Sequence, residues 1–189
     1  PGPLALVEPD PAWAQAGARV MNRLWAIVGD KASAIDHIGS TAVPGLVAKP
    51  TIDIQVTVAG LDIADGLADV LADGGFPRAP GIEGDNPKAD PATGSVDRGD
   101  WGKRFHGSAD PGRPVNVHLR VAGSPGARFA VDFRDWLRDD PAAREEYAGV
   151  KRTALTAADG DIDRYVAAKE PWFDQAYRRI AAWRTNRDS

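Results

Sequence analysis

TIDIQVTV (residues 51–58) alternates strictly between polar and apolar side chains, and PVNVHLRV (residues 114–121) alternates from Val115 onward. A strand turns successive side chains to opposite faces of its sheet, so Ile52, Ile54, Val56 and Val58 share one face and Asp53, Gln55 and Thr57 the other. In the second stretch Val115, Val117, Leu119 and Val121 oppose Asn116, His118 and Arg120. Both stretches read as strands with one apolar and one polar face, and chemistry is expected on the polar face. A shorter strand is expected at AIDHI (34–38), running into Gly39-Ser40.

Helical patterns flank these strands. Asp10-Pro11 is a cap followed by a first-turn proline, and Trp13, Ala16, Val20, Leu24 and Ile27 follow at spacings of three and four up to Gly29. LDIADGLADVLADGG (61–75) fits a second helix that stops at a glycine pair. Residues 77–102 are rich in Pro, Gly and Asp without any period, which predicts a long mobile excursion. The last third is helical in three segments, the first carrying Phe129, Phe133, Trp136 and Leu137 and the last interrupted at Pro171. This order predicts a single α+β domain over residues 1–189 with a mixed or antiparallel sheet.

Charge and composition remove several function classes. There is no cysteine, which excludes disulfide frameworks and thiolate metal sites and favours a cytoplasmic location. With 23 basic against 27 acidic residues and no basic tract, general affinity for a nucleic-acid backbone is not expected. No apolar run approaches the roughly 20 residues of a membrane helix, so no membrane partner is expected. The chain starts at Pro1 rather than Met, which suggests a fragment or a processed chain.

The Gly39-Ser40 turn is the first candidate site. Glycine lets a backbone come close to a phosphate, and the amides and serine hydroxyl donate to its oxygens. Asp53 follows after twelve intervening residues on a polar strand face. This resembles nucleotidyltransferases of the DNA polymerase beta type, in which a Gly-Ser turn precedes a strand with two carboxylates one residue apart and a third acid comes from a later strand. Those acids hold divalent metal against a triphosphate. Here the pair reads Asp53-Ile54-Gln55, and His118 stands on the polar face of the next strand. Asp53 and His118 are the catalytic candidates if chemistry occurs, with Asp53 a weak metal ligand for Mg2+ or Mn2+ carried by a nucleotide. A structural Asp-His pair is the equal reading. Lys49, extended by the proline after it, is either directed at a phosphate or a solvated surface lysine. His37 is placed to support the turn by a hydrogen bond.

DHIGSTAVPGLVAKPTIDIQV, VNVHLRV, FRDWLRDDPAAREEYAGVK and YVAAKEPWF together resemble the GrpB family over nearly the whole chain. The resemblance implies an α+β, nucleotidyltransferase-like fold of the polymerase beta type, with a mixed sheet, flanking helices and a helical C-terminal part. It also assigns Arg134, Lys151 and Lys169 to the phosphate or nucleotide beside Gly39, Ser40 and Lys49, with His37, Gln55 and Arg104 in support. The wording TIDIQVTV, SADPGRPVNVHLRV and YVAAKEPWF is similar to the actinobacterial version found behind the kinase domain of dephospho-CoA kinase, described as an accessory folding domain. That implies a dephospho-CoA kinase domain as partner in cis or in trans, a link to coenzyme A biosynthesis, and a nucleotide or CoA-type ligand. No GxxxxGK[ST] pattern occurs, so the ATP-using kinase half is not in this chain. Three functions follow: an accessory domain with depleted metal ligands, a binding module for a phosphate ligand, and an active metal-dependent nucleotidyltransferase.

Overall fold

The computed structural model describes residues 4–96 and 99–187. Four strands form one mixed sheet: β1 (Ala32–Ile38), β2 (Ile52–Val58), β3 (Lys103–Gly107) and β4 (Val115–Val121), in the order β1-β2-β4-β3. β1 and β2 run antiparallel, β2 and β4 parallel, and β3 and β4 antiparallel. Helices α1 (Ala12–Val28), α2 (Leu61–Gly66) and α3 (Ala68–Asp73) cover the apolar face. Leu24 of α1 and Leu71 of α3 are fully buried there with Ile54, Val56, Val117 and Leu119. Burying the alternating apolar set fixes the register, because a one-residue slip would turn every polar side chain into that core.

The opposite, polar face looks toward α4 (Pro125–Asp139), α5 (Pro141–Ala158) and α6 (Ile162–Arg187). Ser124 and Asp140 cap α4 and α5, each followed by proline at the first helical position. These three helices form their own core around stacked Tyr147 and Trp172, whose ring centroids lie 4.6 Å apart, with Phe133 edge-on to both. A helical core that stands off the polar sheet face leaves room between the two.

Four details differ from the sequence expectation. The sheet gains the edge strand β3, whose five residues are too few to declare a period. The helix expected over 61–75 is two short helices that break at Leu67. The last helix runs through Pro171 without interruption, because burying Trp172 and packing Phe173 against Phe133 outweigh the one missing backbone hydrogen bond. The described residues of the segment 77–102 include no long element, yet they are fastened to the sheet edge. The Asp85 amide donates to Trp101 O at 2.9 Å, and the Lys103 amide donates to Glu83 O at 2.9 Å.

Candidate functional site

A cavity of about 430 Å³ lies between the polar sheet face and α4–α6. Parallel register sets Asp53 of β2 beside Asn116 of β4 and Gln55 beside His118. Asn116 donates to Asp53 Oδ1 at 2.9 Å, and His118 Nε2 lies 3.3 Å from the same oxygen. The Arg120 guanidinium approaches His118 Nδ1 at 3.5 Å, so that nitrogen accepts and Nε2 carries the proton. Burial pushes His118 down to about 4, leaving it neutral. Burial pushes Asp53 up, but the His118 and Asn116 hydrogen bonds and the Lys49 charge outweigh it and hold the carboxyl below its usual range. The pair is a carboxylate and a neutral imidazole.

Gly39 makes that arrangement possible. Its φ is 70°, and a Cβ there would sit 2.7 Å from Asp53 Oδ2. Ser40 opens the single 3-10 turn that follows, and its hydroxyl accepts from Lys151 Nζ at 2.7 Å. Lys151 also donates to Val47 O at 2.6 Å and is only 2% exposed. Lys169 sits over the Tyr165 ring, 4.1 Å from its centroid. Among the described residues none of Lys49, Lys151 and Lys169 has a carboxylate within ion-pair distance, although all three line the cavity. Burial, with the charges of Lys169 and Lys49, pushes Lys151 down to about 7; burial and Lys49 push Lys169 down to about 8. The Lys151 and Lys169 ammonium groups are thus disfavoured by burial and by neighbouring lysine charge, an imbalance that an anion would relieve.

A second charged group closes the cavity toward β3. Arg120 forks onto Asp85 with Nε–Oδ2 at 2.7 Å and Nη2–Oδ1 at 2.9 Å, and Lys103 Nζ lies 2.5 Å from Oδ1. Burial pushes Asp85 up, and Arg120 and Lys103 more than reverse it, holding the carboxyl far below its ordinary value. Three residues on, Lys88 pairs with Glu170 at 2.5 Å and Asp174 at 2.9 Å, tying this segment to α6. The helical wall is aromatic, with Phe129, Phe133 and Phe173 facing the polar strands across the cavity.

Of the residues singled out in the sequence, Gly39, Ser40, Lys49, Asp53, His118, Lys151 and Lys169 meet at this cavity. Four do not line it. His37 lies on the opposite sheet face, where Nε2 bonds Thr41 Oγ1 at 3.0 Å and that hydroxyl donates to Thr51 O at 3.1 Å. Gln55 is buried beneath the cavity, its Oε1 accepting from Arg120 at 3.0 Å and its Nε2 donating to Ala127 O at 3.2 Å. Arg134 donates to His37 O at 3.0 Å and pairs with Asp135 and Asp36, bracing the turn from behind. Arg104 points away altogether and forks onto Asp65 at 2.6 and 2.9 Å, since alternation turns Lys103 to the cavity and Phe105 onto the His118 ring on the same sheet face. Replacing Arg104 by alanine is expected to leave anion binding unchanged and to cost no more than about 1 kcal/mol of stability, read by calorimetry and urea unfolding.

Lys103, Asp85, Asn116 and Arg120 line the cavity without having been singled out. Asn116 and Arg120 were signalled by sharing the polar face of β4 with His118. Lys103 needed β3 to be seen first, and Asp85 sits in a stretch whose composition carries no positional signal. No group of three His, Cys, Asp or Glu able to hold a metal ion occurs among the described residues, and no helix there is long and apolar enough to cross a membrane.

A "Dephospho-CoA kinase" of Mycolicibacterium paratuberculosis is 51% identical over 191 residues, covering 96% of this chain but 47% of the relative. The chain thus spans about half the length of such relatives. A UPF0157 protein of Halalkalibacterium halodurans is 32% identical, with 95% of this chain and 83% of that protein covered. The crystal structure of the conserved protein GrpB from Enterococcus faecalis superposes with a TM-score of 0.75 at 24% identity, over 93% of this chain and 96% of that one, and so shares the fold. The family profile described as GrpB protein matches residues 3–179, and the chain belongs to the GrpB family.

Proposed function

We propose that this domain holds a phosphate-bearing ligand in the cavity without turning it over, and that it serves a dephospho-CoA kinase unit as an accessory domain. The observation that carries the binding reading is the convergence of Lys49, Lys151 and Lys169 on one cavity beside Ser40 with no carboxylate paired to them among the described residues. Ammonium groups desolvated in this way bind a multiply charged oxyanion more favourably than surface lysines do. The aromatic wall offers apolar area for whatever the phosphate is attached to.

The accessory role is supported by the length of the relatives named dephospho-CoA kinase, in which a comparable length lies outside the matched region. A depleted metal site is supported by the donor set. Asp53 Oδ1 already accepts from Asn116 and His118, Gln55 has both amide atoms engaged, and Asp85 is committed to two cations. One carboxylate with a single oxygen not already hydrogen-bonded does not fit a site for Mg2+ or Mn2+, which take several oxygen ligands. The nucleotidyltransferase reading keeps one point in its favour, the ionised Asp53 beside the Gly39-Ser40 turn.

Thermal-shift titration of the domain with ATP, CTP, dephospho-CoA and CoA, with and without Mg2+ or Mn2+, tests binding. A metal-independent rise of several degrees with at least one phosphate ligand is expected by mass action. Flat curves for all four would remove the binding reading. Supplying the domain with the remaining half of a dephospho-CoA kinase relative should raise that half's soluble yield. Pyrophosphate release from a nucleoside triphosphate that disappears in Asp53→Ala would instead establish an enzyme.

A further inference from the structure

Asp85 is a carboxylate delivered by a loop into a ready-made anion receptor. Arg120 and Lys103 are 5% and 7% exposed, and both reach the same carboxylate. Two buried cations on one acid leave an excess positive charge next to the Lys49, Lys151 and Lys169 group in the same cavity. The guanidinium does not depend on Asp85 for its position. Its Nη1 donates to Gln55 Oε1 at 3.0 Å, and Gln55 is anchored in turn on Ala127 of α4. Asp85 is the less constrained member: although its amide is held by Trp101 O, it lies outside any helix or strand among the described residues, whereas Arg120 and Lys103 stand on paired strands.

We propose that Lys103 and Arg120 form a second anion subsite, that Asp85 occupies it as an internal stand-in, and that the natural ligand carries two or more linked anionic groups. The proposal rests on the phosphate reading of the first subsite. One group sits at Lys49, Lys151, Lys169 and Ser40, and the next displaces the Asp85 carboxylate from the Arg120 fork. A carboxylate and a phosphate present the same pair of oxygens to a guanidinium, and a phosphate brings more charge. Displacement also removes the side-chain anchor of residues 83–88 on the sheet edge and loosens the backbone bonds of Asp85 to Trp101 and of Lys103 to Glu83, while Lys88 with Glu170 and Asp174 keeps its tie to α6. The loop then acts as a selectivity device. Single anions fill the first subsite only, and longer ones gain the second at the expense of the Asp85 contacts.

The test is a calorimetric titration of the whole chain, as wild type and as Asp85→Asn, with inorganic orthophosphate, pyrophosphate and tripolyphosphate. Asp85→Asn is expected to tighten pyrophosphate or tripolyphosphate about tenfold or more, while orthophosphate binding that depends on Lys151 changes little. Adding Lys103→Met to Asp85→Asn should cancel the gain. If orthophosphate binds and Asp85→Asn leaves the longer anions unchanged or weaker, the second subsite is overturned and the first stands. If no anion binds either protein, both readings fail together. Hydrogen exchange on the wild type covers the case in which Asp85→Asn does not fold. Saturating tripolyphosphate, but not orthophosphate, should speed exchange at the Asp85 and Lys103 amides, and unchanged protection in the tripolyphosphate complex overturns the proposal.

Discussion

Lys151→Met is expected to abolish the stabilisation of this domain by phosphate ligands. Lys151 is the most deeply buried of the three cavity lysines and the one tied to Ser40, so its loss removes a charge-assisted hydrogen bond worth about 1.5–3 kcal/mol, roughly a 10- to 150-fold loss of affinity. The same variant should alter the pH dependence of the ligand-free protein. Lys151 loses its proton near pH 7 in the folded state, whereas in the unfolded chain it keeps one up to the ordinary lysine value of 10.5. Between those values the unfolded state binds more protons, so this group makes stability rise with pH, by on the order of a few kcal/mol. Lys169, pushed down to about 8, adds to the rise. Tyr165, pushed up to about 12 by burial, opposes it above about pH 10, where the unfolded tyrosine ionises first. Urea unfolding at pH 7 and pH 9.5 should show wild-type stability rising across the interval and a visibly flatter profile in Lys151→Met. An unchanged profile would mean that Lys151 is solvated enough to keep its ordinary proton affinity.

Gly39→Ala should be the most damaging substitution at the turn. Its φ of 70° with ψ of −170° lies in a region that only glycine occupies readily, and the added Cβ would meet Asp53 Oδ2 at 2.7 Å. Backbone strain and the contact together are expected to cost about 2–5 kcal/mol, a fall in Tm of roughly 5–15 °C for a chain of this size. Asp53→Ala in the same background removes the oxygen and should return part of the loss, leaving the backbone strain. A double-mutant cycle with no coupling between the two positions would contradict the close approach of turn and carboxylate.

How much of this was legible in the sequence depends on periodicity. β2 and β4 were readable because seven residues of strict alternation permit one burial pattern, and the same alternation placed Asp53 and His118 each on the polar face of its own strand; that the two faces join came only with the parallel pairing of β2 and β4. The Gly39-Ser40 turn was readable from local chemistry, whereas Lys49 read locally as a surface lysine as much as a phosphate ligand and was favoured only by the family motif. Lys151 and Lys169 were not, since each lies on a helix where a lone lysine defaults to the surface; the family resemblance alone singled them out. Arg134 came with them by that resemblance and proved to brace the turn from outside the cavity. Lys103 and Asp85 were invisible for a different reason. A five-residue strand and an aperiodic loop gain meaning only from the tertiary pairing of β3 with β4. Local sequence cannot encode which loop carboxylate will land on which buried arginine.

The most direct measurement is a crystal of the domain soaked in tungstate, a heavy analogue of phosphate, with the metal located by its anomalous scattering. A peak within hydrogen-bond distance of Lys151 Nζ and Ser40 Oγ, flanked by Lys49 and Lys169, is the result this account predicts. Tungstate bound elsewhere with that corner of the cavity empty would contradict it, and would leave the three lysines as charges buried without an anion to answer them.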